Sequence, residues 1–398
     1  MALTFPDIDT LRARGTMKWT KYPADVLPLW VAETDFDTCP AVDDAVRRAV
    51  DRQYFGYPVA GARSRNLADA LAEFTAARHG WNIDPAKVTY VPDVVQGICV
   101  AVDALTPAGS TIVVPMPAYP PFQKVPTATR RPAAYVPMTD ESGFDLAALE
   151  RAFTSTDNPH GVGSLILCNP FNPLGRAFSA EELRAVTDLA ARHDVRVISD
   201  EIHAPLVYSG HHIPTATVSD TAYGNTVTVT ATSKGWNTAG LKCAQIITTA
   251  DEDAKLIGRL SNVVTGEPST LGIEAATAAY LDGVPWLEEE VSYLAANWEH
   301  LRTRLPEVLP GIRLPQQQAT FLAWLDVSQV DRLRGADGTV ADPAERLRTH
   351  ARVAFNEGTD FGPVGRGHVR LNFGTSRAVL DEALDRIAEA DLHTGEAL

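Results

Sequence analysis

Five stretches carry the residue types that chemistry needs. The first is TSKGWNTAGLK (232–242). Lysine is scarce in this chain, yet Lys234 and Lys242 fall eight apart here, in a small, polar, glycine-bearing stretch with no helical stripe. An amine that attacks a carbonyl must be deprotonated, and a lysine with the ordinary pKa of about 10.4 is mostly protonated at neutral pH. Burial and a nearby cation such as Lys242 push that value down. Lys234 is therefore a candidate nucleophile; a solvated loop lysine is the plain alternative. The second stretch is VRVISDEIH (195–203). Asp200 ends an apolar run, where a carboxylate costs several kcal/mol unless it has a partner. A protonated heterocyclic nitrogen would serve, as would a cap or a salt bridge. His203 could hold that carboxylate in place. His203, His211 and His212 match no familiar zinc spacing, so no metal is expected.

The third stretch, NPFNPLG (169–175), offers Asn172 as an amide donor, although turn chemistry alone explains its two Asn-Pro steps. The fourth, DVVQG (93–97), could present backbone N–H groups at a helix start to a phosphate. It lacks the glycines of a dinucleotide fingerprint and the GK[ST] of a phosphate loop. The fifth is GHVRLNFG (367–374), where the planar fork of Arg370 suits a carboxylate; a surface arginine is the alternative.

The elements that must position these groups alternate. AVDDAVRRAVDR (41–52) and SRNLADALAEFTAARHG (64–80) have helical apolar spacing. KVTYVP (87–92) reads as a short strand, and GICVAVDALTPAG (97–109) as a helix with a Pro/Gly stop. STIVVPMP (110–117), SLILCNP (164–170), VRVISDE (195–201), NTVTVTAT (225–232) and CAQIITT (243–249) are continuous apolar runs of the kind buried parallel strands show. SAEELRAVTDLAARHD (179–194) opens with a Ser179/Glu182 capping box. This pattern predicts an α/β fold with a mainly parallel sheet. In such sheets ligands collect at the carboxyl ends of the strands, where four of the five stretches fall. From residue 286 a long helix, PWLEEEVSYLAANWEHLRTRL, leads to a strand, TFLAWLDV, and more helices. The expected division is an irregular arm (1–45), a large domain (46–285) and a smaller one (286–398), with the arm packing on the smaller domain.

The chain has 398 residues and a formal net charge of −15. That charge argues against nucleic acid or an anionic membrane as the main partner. No run of 18 apolar residues suggests a membrane span. The start of the chain has no signal-peptide pattern, so a cytoplasmic protein is expected. Four scattered cysteines without a CxxC pair read as idle thiols.

Taken in order, the stretches resemble the pyridoxal-phosphate enzymes of fold type I, the aspartate-aminotransferase superfamily. Within it the sequence is most similar to the cystathionine β-lyase, or cysteine–sulfur lyase, branch. The likeness rests on LPLWVAETDF (27–36), FGYP (55–58), SDEIHAPLV (199–207), SKGWNTAGLKCA (233–244), GIEAATAAYLDGVPWL (272–287) and GRGHVRLNFGTS (365–376). It implies a large domain with a mainly parallel seven-stranded sheet and a smaller α+β domain. The implied cofactor is pyridoxal 5′-phosphate. Lys234 would bond it covalently and later move the substrate's Cα proton. Asp200 would pair with the pyridine nitrogen, supported by His203. Asn172 would bond the ring oxygen, and Tyr119 would stack on the ring. Val95, Gln96, Ser233 and Lys242 would hold the phosphate. Tyr57 would reach a neighbouring subunit's phosphate, which implies a homodimer with shared sites. Arg370 would clamp the α-carboxylate of a small amino-acid substrate.

Gly235-Trp236 stands where the branch has Thr-Phe, Glu33-Thr34 where it often has Asp-Met, and Val327 where it usually has Arg. Trp236 is therefore expected to shape the substrate pocket. The implied activity is β-elimination on a cysteine thioether. An aminotransferase on the same scaffold is the nearest rival, and a regulatory protein that keeps the fold is another.

Overall fold

The computed structural model describes residues 3–58, 65–138, 143–335 and 338–392. Two compact units emerge. The larger comprises Thr38–Phe171 and Ala177–Leu287; the smaller comprises Met1–Asp37, Asn172–Arg176 and Glu288–Leu398. The sequence-based division placed residues 38–45 with the arm and 172–176 with the large domain. Residues 38–45 fall in the larger unit because the first long helix starts at Pro40.

A seven-stranded sheet forms the centre of the larger unit. Its strands are β1 (Val88–Val91), β2 (Thr111–Met116), β3 (Ala133–Pro137), β4 (Val162–Cys168), β5 (Arg196–Asp200), β6 (Thr226–Thr230) and β7 (Ala244–Thr248). Their spatial order is β1-β7-β6-β5-β4-β2-β3. The run from β6 to β3 is parallel, whereas β7 is antiparallel to both β6 and β1. The sequence pattern had grouped 243–249 with the parallel strands. Burial of both faces, not direction, makes a strand read as a continuous apolar run, and β7 is buried throughout.

The longest helices lying within this unit are α1 (Pro40–Asp51), α2 (Arg65–His79), α3 (Val94–Leu105), α4 (Ala180–Arg192) and α5 (Thr270–Asp282). Helix α5 packs on α1 and α2, and α3 packs on β5, β6 and β7. The α4 capping box forms as its residues imply, with Ser179 and Glu182 bonding each other's backbone N–H. Helix α3 starts at Val94, three residues before the apolar pattern suggested, because the Asp93 carboxylate caps it through Gln96 N. Gly97 lets α3 lie close on the sheet: a Cβ there would sit 2.7 Å from Val229 Cγ1.

Helix α6 (Val284–Val308) carries the chain from the larger unit into the smaller. There β8 (Leu322–Asp326), β9 (Asn356–Glu357) and β10 (His368–Asn372) form an antiparallel sheet in the order β9-β10-β8, followed by α7 (Arg377–Glu389). The N-terminal residues belong to this unit through a parallel pairing of Leu27–Pro28 with Val353–Ala354. A buried ion pair, Lys18 Nζ to Asp35 Oδ2 at 2.7 Å, and a bond from Trp19 Nε1 to Asp35 Oδ1 fix their turn. Among the described residues no helix is long and apolar enough to cross a membrane.

Candidate active site

Parallel strands share a carboxyl edge, and the larger unit gathers its functional groups there. Cys168 on β4 is in register with Asp200 on β5, and Asp200 with Val229 on β6. Asn169 N donates to Asp200 O, and Glu201 N to Val229 O, so the chain turns just beyond both strand ends remain tied together. Asp200 is buried, and its Oδ1 accepts Ile202 N at 3.0 Å. Burial pushes its carboxyl up to about 7. The Ile202 N–H opposes that shift, the Glu201 charge adds to it, and the Lys234 charge pulls the other way. A carboxyl so placed is completed by a cation. His203 is buried at the head of the next turn, Ala204–Leu206.

Lys234 lies four residues past the end of β6, within a tight turn closed by Trp236 N to Thr232 O at 2.9 Å. Thr232 and Thr238 hydroxyls bond across the base of this loop at 3.0 Å. Ser233 and Lys234 are half-buried. The expectation for Trp236 is corrected. Its side chain is 0 % exposed, its ring meets Phe74 and Tyr280 edge-on, and its Nε1 donates to Gly283 O at 3.0 Å. No face is left for a substrate. Gly235 is similarly a packing residue, since a Cβ there would lie 3.1 Å from Pro205 Cβ. The Gly-Trp departure fills the core beneath the loop.

Lys242 ends the same loop in a left-handed conformation, φ 51°. Its ammonium lies 3.1 Å from Asp93 Oδ2, at the N-terminus of α3. Val95 N is one of the first-turn donors that no carbonyl of its own helix can accept. Gln96 is more committed than its sequence position implied: N donates to Asp93 Oδ1, and Nε2 to Val264 O at 2.8 Å. A cation and free helix N–H groups together favour an anion. Tyr119 follows β2 at the head of the turn Pro120–Lys124, half-buried, with its ring edge-on to Phe122. Tyr57 is 89 % exposed.

The smaller unit fixes a second charged group. Arg370 on β10 is buried. Its Nη1 donates to Asn172 Oδ1 at 3.2 Å, and its Nη2 to Trp30 O at 2.9 Å and Asn356 Oδ1 at 2.6 Å. The guanidinium also lies over the Phe361 ring at 4.8 Å. Asn356 reaches it because the two residues are directly opposed in the β9/β10 register. Asn372, two residues along β10, donates to Val31 O and Glu33 O and so holds the WVAETDF segment. The structure thus brings Asn172 to Arg370. Asn356 was missed in the sequence, where nothing in FNEG marks it; only strand register does. Asp93 and Glu201 were also missed as partners, although each is an acidic residue inside a quoted stretch.

The larger unit's groups suit a small aromatic ligand with a protonated ring nitrogen and an anionic substituent, held near an amine. The smaller unit's arginine suits a carboxylate. The sequence matches the model of the family Aminotransferase class I and II over residues 24–387, and the chain belongs to that family. It is 43% identical over 388 residues, 97% of this chain and 99% of the other, to cystathionine beta-lyase of Corynebacterium glutamicum. A solved structure from Corynebacterium diphtheriae, assigned as a PLP-dependent beta-cystathionase, superposes with TM-score 0.91 at 46% identity, covering 99% of this chain and 100% of the other. The PLP-bound C-S lyase from Staphylococcus hominis matches with TM-score 0.87 at 26% identity, covering 97% and 98%.

Proposed function

We propose that this chain is a pyridoxal-phosphate-dependent carbon–sulfur β-lyase that converts L-cystathionine or a related cysteine thioether, with water, to a thiol, pyruvate and ammonia. The observation that carries the reading is the buried Asp200 at the carboxyl edge of the sheet, with Lys234 in the turn beyond the adjacent strand β6. The names of the full-length relatives support the lyase class.

The residues fit the cofactor. Asp200 would partner its ring nitrogen, Lys234 would bond it covalently, and Tyr119 would stack on its ring. Asn172 would bond the ring oxygen, with His203 supporting Asp200. Val95 N, Ser233 and Lys242 would hold its phosphate. Gln96, its backbone N–H on Asp93 and one amide N–H on Val264 O, would add its second amide N–H to the phosphate. When bound, the cofactor supplies an electron sink for negative charge at Cα. The chain does the rest. Arg370 holds the substrate carboxylate in a preformed fork, which fixes the orientation of the Cα–H bond. Lys234 removes that proton at Nζ, and the thiol departs from Cβ. Water then releases pyruvate and ammonia. Exposed Phe55 and Tyr57, at 62% and 89%, support a homodimer in which Tyr57 completes the partner's phosphate site. Sedimentation checks this, and a monomer at micromolar concentration rules it out.

The decisive experiment incubates the holoenzyme with L-cystathionine alone. Pyruvate released without a keto-acid acceptor supports the lyase. Conversion only with added 2-oxoglutarate, with glutamate formed, makes the protein an aminotransferase.

A further inference from the structure

Asp200 and Glu201 are consecutive at a strand end, so their side chains leave on opposite sides of the sheet. Glu201 turns away from the candidate site and is buried. Its Oε1 accepts Ser199 Oγ and Thr215 N, both at 2.9 Å, and its Oε2 meets His212 Nε2 at 2.9 Å. The network extends onward: Ser199 Oγ lies 2.9 Å from Thr215 Oγ1, which accepts Asn169 Nδ2 at 3.3 Å. Asn169 N in turn donates to Asp200 O. A single set of buried bonds therefore anchors the ends of β4 and β5.

Behind His212 the network reaches a cavity of about 20 Å³ lined by His79, Trp81, Glu201, His212 and Thr228. Among the described residues, four buried polar atoms here have no hydrogen-bond partner: His79 Nε2, Trp81 Nε1, His212 Nδ1 and Thr228 Oγ1. A carboxylate only accepts, so His212 Nε2 carries the hydrogen it shares with Glu201. Burial, with the nearby His212 and Arg78 charges, lowers His79 to about 2, so this ring is neutral. Trp81 Nε1 can only donate, while the Thr228 hydroxyl can donate or accept. Four unpartnered polar atoms around one cavity match the two to four bonds that a buried water makes, and the cavity has room for about one.

We propose that Glu201 is a positioning residue for Asp200, held in place by Ser199, Thr215 and His212, and that one ordered water bridging His212, His79, Trp81 and Thr228 completes its anchorage. The inference rests on the reading of Asp200 as the cofactor's partner. It goes further in assigning the acidic neighbour, not only burial, a part in keeping that carboxyl proton-hungry. Around this pair, Lys234 lies on the site side, His203 three residues on, and His212 and His79 behind Glu201.

The test is a difference-infrared titration of the full-length chain freed of cofactor, with Asp200→Asn identifying the Asp200 carboxyl band. Glu201→Gln keeps the volume and removes the charge. It should lower the Asp200 midpoint by about half a pH unit or more, since a like charge has been removed. Trp81→Phe removes a water partner. It should leave that midpoint in place while lowering the melting temperature by about 1–2 °C. If Glu201→Gln does not fold, Ser199→Ala reads the same coupling with opposite sign, because a less shielded Glu201 raises the midpoint. An unmoved midpoint in the folded variant overturns the positioning role. A crystal structure of the holoenzyme that resolves ordered solvent but shows none among the four residues overturns the water. A wild-type chain that takes up no pyridoxal phosphate sinks the functional reading, and the infrared comparison still decides this one.

Discussion

The two charged groups assigned to chemistry are held in opposite ways. Arg370 sits mid-strand, buried, with bonds to Asn172, Trp30 and Asn356 and an aromatic face beneath it. Lys234 sits in a tight turn whose stiffness comes from its neighbours: the Thr232–Thr238 bridge on one side and the buried Trp236 on the other. The difference suits the tasks proposed for them. A group that recognises a carboxylate gains by being preorganised, because every rotamer frozen in advance is entropy not lost on binding. A group that bonds one molecule and then moves a proton on another needs a firm base.

The largest effect expected from this contrast is at Lys234. Lys234→Ala should remove the visible absorbance of the bound cofactor and lower kcat by about 10³-fold or more, as loss of a nucleophile and base does. A variant with full absorbance and turnover breaks the assignment. Next comes the fixed fork. Arg370→Lys keeps the charge but loses the planar pair of donors, so kcat/KM should fall by about 10²-fold, with cofactor absorbance retained. Asn356→Ala leaves Arg370 in place but removes one of its anchors, a hydrogen bond to a charged group worth about 1.5–3 kcal/mol. Steady-state kinetics should show roughly a tenfold loss, mostly in KM, and an unchanged KM means that register alone positions the arginine. The smallest effect is under the lysine loop. Trp236→Phe loses the bond to Gly283 O and costs about 1 kcal/mol of stability by denaturant titration. The ratio of kcat/KM between two thioether substrates should not change, whereas a changed ratio would return Trp236 to the pocket.

The pH dependence also separates the two regions. Asp200 is raised to about 7 in the cofactor-free chain. A raised carboxyl contributes stability that is complete below its unfolded value of about 3.8 and is lost as pH rises through about 7. Thermal melts of the cofactor-free chain should therefore fall across that window, less steeply in Asp200→Asn.

Much of the site was readable in one dimension because each group ends or follows an apolar run. Asp200 after VRVIS and Lys234 after NTVTVT are marked by strand chemistry that burial of both sheet faces imposes on sequence. Gly235-Trp236 shows the limit. A loop residue beside a nucleophile and a core residue beneath it have the same neighbours in the sequence, and only packing against Phe74 and Tyr280 tells them apart.

Local pattern thus determined the alternation of strands and helices, the capping of α4, and the choice of Lys234, Asp200, Asn172 and Arg370 as candidates. These are properties of short range, set by periodicity and by the rarity of charge in apolar runs. Tertiary structure decided the direction of β7, the pairing of Asn356 with Arg370, the ion pair between Lys242 and Asp93, and the anchorage of Glu201. Each of these joins residues far apart in the chain or turns on which way a side chain points. Neither is encoded until strands find their register and the core closes.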